Sequence, residues 1–80
     1  MKTATGEVIE KAEQLAMEAR IRAGMMLSDY RRNNIVRLRR AKKAAERCTR
    51  LAADLAATAF QAADLLDAEL RVATRNRAEE

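Results

Sequence analysis

An all-α fold, an antiparallel helical hairpin with a long Ala-rich second helix, is predicted by three observations in the sequence. Pro is absent and the only glycines are Gly6 and Gly24, so few residues interrupt a helix. Ala, Leu, Arg, Glu, Lys and Met dominate, the residues that cost least in a helix, while the β-branched residues are scattered without alternation. Apolar residues recur at spacings of three and four along most of the chain. Eighty residues make one small domain, 1–80.

The first helix is expected over about residues 6–27. Thr5 is a suitable N-cap, and Glu7 and Glu10 lie in the first turns, where the helix dipole favours acids. Val8, Ala12, Leu15, Ala19, Ala23, Met26 and Tyr30 form its apolar stripe, with Ile9, Ala16 and Leu27 widening it. The stretch Ser28-Asp29-Tyr30-Arg31-Arg32-Asn33-Asn34 is the candidate turn, because Ser, Asp and Asn compete for backbone hydrogen bonds and favour caps. Asn34 can cap the second helix. A single continuous rod is the alternative, since the turn contains neither Gly nor Pro.

The second helix is expected over about residues 35–76. Its packing face reads Leu38, Ala41, Ala45, Cys48, Ala52, Leu55, Ala59, Ala62 and Leu66, continuing to Ala73 with only Glu69 interrupting, and Leu51, Ala56, Ala63, Leu65 and Leu70 flank it. A heptad sustained this long implies coiled-coil-like packing, and the Ala positions let backbones approach closely. Of the apolar residues 18 are Ala, against eight Leu, so the core of a monomer is thin and self-association is the physical remedy. The unequal helix lengths point the same way: a second chain or a further break must cover the end of helix two.

Charge is concentrated. Residues 31–50 carry nine Arg or Lys against Glu46 alone, a net of +8, whereas residues 51–80 carry three bases and six acids. On a helix, at about 100° per residue, Arg31, Arg32, Arg39, Arg40, Lys42, Lys43, Arg47 and Arg50 form an anion-binding face, opposite the apolar stripe. Arg37 falls outside that arc. Like charges crowded at a helix N-terminus repel one another and oppose the dipole, and a polyanion relieves both. Arg clusters suit phosphate, and with Tyr30 the only aromatic nearby, duplex or structured RNA fits better than stacked single strands.

The run Tyr30-Arg31-Arg32-Asn33-Asn34-Ile35-Val36-Arg37 resembles the basic region of eukaryotic bZIP factors, with Asn34 and Lys42 at a matching separation. In that family an Asn and a downstream basic residue read the major groove ahead of a leucine zipper, and Ala52, Ala59, Leu66 and Ala73 keep the zipper register here. The resemblance covers about a quarter of the chain, and Arg37 and Leu38 stand where that family has two small residues.

Met17, Ile21 and Met25 line up on the other side of helix one, beside Gln14, Gly24 and Ser28, and suit a partner helix or a wider core. Gly24 in mid-helix suggests a close backbone approach. Catalysis is not expected: there is no His and no Gly-rich phosphate loop, and no Cys/His set for a metal, so no cofactor is implied. Asp64, Asp67 and Glu69 read as solubilising charges. Cys48 is alone, which excludes an internal disulfide and fits a reducing compartment. The expected location is the cytoplasm or a virion interior: the first residues lack a secretory h-region, and the uncharged run Leu55 to Ala63 is too short to span a bilayer.

The sequence therefore predicts a non-enzymatic, self-associating binding or regulatory protein that presents its Arg/Lys face to nucleic acid. The alternative is an inhibitor or assembly factor of phage type that docks on an acidic protein through helix–helix contacts. A basic helix lying on an anionic membrane is a third reading, disfavoured by the scarcity of large apolar groups. No small-molecule substrate is implied.

Overall fold

The structure, a computed structural model, describes residues 3–79 as two helices, α1 (Ala4–Arg31) and α2 (Ile35–Glu79). They fold back on each other as a hairpin, and no strand occurs among the described residues. α2 is unbroken, so the single chain does not make a three-helix unit.

Both helices are longer than the sequence pattern indicates, and the two ends of α1 and the start of α2 each have a local cause. Thr3, not Thr5, caps α1: its backbone is extended (φ −83°, ψ 160°) and its Oγ accepts the Gly6 N–H at 3.0 Å. Gly6 leaves room for that cap, since a Cβ there would stand 3.1 Å from the Thr3 hydroxyl. At the other end Ser28 to Arg31 stay helical, and the turn contracts from residues 28–34 to residues 32–34. Asn33 takes the left-handed conformation, φ 47°, which Asn tolerates better than most residues. Asn34 caps α2 as its position suggests, with Oδ1 accepting the Arg37 N–H at 2.9 Å. This turn excludes the single continuous rod that the absence of Gly and Pro left open.

Asp29, assigned to the turn by its residue type, is instead a buried residue of α1, 9% exposed. The Arg37 guanidinium donates to its carboxylate at 3.2 Å, joining the two helices just below the turn. That pair explains why Arg37 stands apart from the other cations of its segment. Tyr30, expected on the apolar stripe, is 63% exposed because Asp29 takes the inward position.

The seam between the helices is a heptad, but not the predicted one. On α2 it runs through Ala41, Ala44, Cys48, Leu51, Leu55, Thr58, Ala62 and Leu65, all buried or half-buried. Ala41, Cys48, Leu55 and Ala62 were expected there and Ala45 is half-buried beside them, whereas Leu38, Ala52, Ala59 and Leu66 are exposed. The buried face is turned by about 50°, half of the roughly 100° step between residues. Leu51, only 3% exposed, removes more apolar surface from water than Ala52 could in its place. Thr58 enters the seam at 6% exposure because its hydroxyl donates to the Asp54 carbonyl at 2.8 Å, leaving no orphaned polar group. Cys48, expected as a buried small apolar residue on this face, is half-buried, and its thiol lies 3.7 Å from the Ala19 carbonyl.

α1 has 28 residues and α2 has 45. At about 1.5 Å per residue the difference is roughly 25 Å of helix, which projects past the start of α1 and gives the molecule its 66 Å length. From Leu66 to Arg77 every residue is exposed.

Candidate anion-binding flank

The hairpin has two long flanks, and the sequence loads them differently. On one, α2 contributes Arg40, Lys43 and Arg47, and α1 contributes Arg22, Ile21 and Met25. Together with Gly24, Ser28, Ala44 and the Asp29–Arg37 pair they line an open groove of about 800 Å³. The helical repeat creates this arrangement: Arg40, Lys43 and Arg47 recur at three- and four-residue spacing next to the seam residues Ala44 and Leu51. The cationic groups therefore stand at the rim while the apolar side chains form the wall.

Arg22 was not among the predicted cations. It occupies a seam position of α1, and its guanidinium reaches out to within 3.8 Å of the Met25 sulfur. Its spacing from Leu15 and Ala19, seven and three residues, is the signal in the sequence; its charge hid it. Ile21 and Met25, 60% and 44% exposed, form the wall of this groove, and Met17 continues the row at 59%. Two faces that look separate in the sequence, the Arg/Lys face and the Met17/Ile21/Met25 row, thus meet. Gly24 serves no close approach: nothing lies within 4 Å of where its Cβ would be.

The remaining predicted cations are distributed around this groove. Arg31 closes α1, where a positive charge suits the helix C-terminus, and Arg32 lies in the turn. Arg39 and Arg50 are exposed on α2, while Lys42 is exposed on the opposite flank. Among the described residues Arg37 pairs with Asp29 and Arg71 with Asp67, and none of the eight predicted cations is ion-paired. No acid occupies the first turn of α2, so neither a carboxylate nor the dipole offsets this charge.

The opposite flank is apolar. Ala23, Met26, Leu27 and Tyr30 of α1 face Ala41, Lys42 and Ala45 of α2 around a shallow hollow of about 480 Å³. Among the described residues that line it, Lys42 alone is charged.

Among the described residues no group of three or more His, Cys, Asp or Glu could hold a metal ion, and no helix is long and apolar enough to cross a membrane. Compared with protein-family models, curated proteins and solved structures, the chain matches none.

Proposed function

We propose that this protein is a small non-enzymatic regulatory or structural factor that binds the phosphate backbone of nucleic acid through the cationic flank of its hairpin. The observation that carries this reading is the set Arg22, Arg40, Lys43 and Arg47, gathered on one groove whose only described carboxylate, Asp29, is already taken by Arg37. Arg39 and Arg50 extend the charge along α2, and Arg31 and Arg32 extend it around the turn. Phosphates spaced along a duplex would release counterions on meeting such a surface, which gives affinity without base readout. Action in the cytoplasm or within a virion belongs to the same proposal.

The test is retention of a duplex DNA and a structured RNA by the wild type and by the Arg40→Gln/Lys43→Gln/Arg47→Gln variant. The variant should lose on the order of 100-fold in affinity while keeping its helical content. Equal retention by both proteins, or retention by neither, refutes the proposal.

One observation favours a second reading, docking on an acidic protein. The Met17, Ile21 and Met25 row stands beside the cations, an arrangement that suits an amphipathic helix with acidic edges. Changing all three to Lys should then abolish partner capture while leaving nucleic-acid retention at least as strong.

A further inference from the structure

The structure leaves a second heptad unused. Turning the seam by half a residue step moved part of the predicted stripe to the surface, where it joins another set. Ala52, Ala56, Ala59, Ala63, Leu66 and Leu70 follow one another at alternating four- and three-residue spacing, and every one is exposed. The row has the period of the buried seam beside it and contains no charge. Its two large side chains, Leu66 and Leu70, are 48% and 65% exposed on the part of α2 that α1 does not reach.

We infer that this row is the interface for a second copy of the chain, packed antiparallel along α2. Three independent features select that occupant and that direction. The first is charge. Residues 31–50 carry a net of +8, while residues 51–70 carry Asp54, Asp64, Asp67 and Glu69 with no base. With a twofold axis near Ala56, an antiparallel pair sets residues 42–50, a net of +3, against residues 62–70 of the partner, which carry Asp64, Asp67 and Glu69 and no base, whereas a parallel pair stacks like on like.

The second feature is shape. A twofold axis near Ala56 brings residues 66–70 of one copy beside residues 42–46 of the other. Leu66 and Leu70 then meet the apolar hollow of Leu27, Tyr30, Ala41 and Ala45, which lies on the same side of α2 as the row. Asp67 and Glu69 arrive opposite residues 45 and 43, so Lys42, the charge that lines the hollow, acquires a carboxylate nearby. The third feature is continuity. Ala45, half-buried, borders both the hollow and the row, so the two surfaces form one strip along the flank opposite the cationic groove. The pairing leaves Arg22, Arg40, Lys43 and Arg47 uncovered in both copies, and so it neither requires nor obstructs an anionic ligand there.

The experiment is the mass of the full chain in solution, freed of nucleic acid, at micromolar concentration and moderate salt. The wild type should run at twice the 9.0 kDa of one chain. Ala56→Glu/Ala63→Glu, two changes at exposed positions, should run as a monomer with unchanged helical content. Direction is read from single-cysteine variants in a Cys48→Ser background, treated with a short bismaleimide. Ala56→Cys should link to its copy. Ala73→Cys should not, because antiparallel pairing sets those residues on the order of 50 Å apart. A monomeric wild type, a dimer that survives the two glutamates, or efficient linkage through Ala73→Cys each overturns the inference. Because nucleic acid is absent throughout, its failure leaves the proposed function standing, and the reverse also holds.

Discussion

The two flanks of this hairpin are built on the same two helices, yet they differ in every property that matters for recognition. On one, the residues next to the seam are Arg40, Lys43 and Arg47; on the other they are Ala45, Ala52 and Ala59. Among the described residues, the first flank carries charge with no ion-pair partner beyond Asp29 on Arg37, and the second carries apolar surface that no other side chain covers. Water tolerates the first arrangement better than the second, so the two flanks call for different partners: an anion on one side and another helix on the other. The difference teaches that in a two-helix protein the phase of the buried seam decides what each flank can do. Half a residue step of rotation would have buried Ala52 and Ala59 and spread the cations differently.

That phase can be broken. After the loss of phosphate binding expected on neutralising the cationic flank, the largest effect should come from Leu51, the least exposed residue of the seam. Leu51→Ala should cost about 2–3 kcal/mol and lower the melting temperature by roughly 10 °C or more in thermal denaturation. Leu66→Ala should cost less than about 0.5 kcal/mol when made in the Ala56→Glu/Ala63→Glu background, where self-association does not enter. Equal costs at the two leucines would mean that the seam runs through the predicted stripe after all.

A smaller effect is expected at the closed end. Asp29→Asn should destabilise the hairpin by about 1 kcal/mol, because it leaves a half-buried Arg37 without its carboxylate. Converting Arg37 to Met in the same chain should recover most of that loss, a double-mutant cycle readable by denaturant titration. Smallest of all, Gly24→Ala should stabilise α1 by up to about 1 kcal/mol, since its Cβ enters open space. The rise is read in thermal denaturation, where it measures the stability of α1 alone.

The hairpin, the all-α class and the Asn34 cap were legible in the sequence because each follows from local rules: helix formers without breakers, and an Asn before a helical run. The phase of the seam was not. A stripe chosen for apolar residues alone passes over Asp29, Arg37, Arg22 and Thr58, and all four are seam residues. Asp29 and Arg37 satisfy one another, and Thr58 satisfies itself on the Asp54 carbonyl. Arg22 extends its charged end into the groove while its stem packs. Only the Asp29–Arg37 pair crosses the hairpin, but all four positions become seam positions through the register of one helix on the other, which no reading of one helix at a time supplies. The cationic residues themselves were legible; their convergence with Ile21 and Met25 was not, because it requires the register between α1 and α2.

The central claim, that one flank is a phosphate-binding surface, is tested most directly by the dependence of duplex affinity on salt. A plot of log affinity against log salt should fall with a slope of about −4 or steeper, and each of Arg40, Lys43 and Arg47 changed to Gln should flatten it by about 0.9. A slope near zero, or one that these substitutions leave unchanged, would contradict the account.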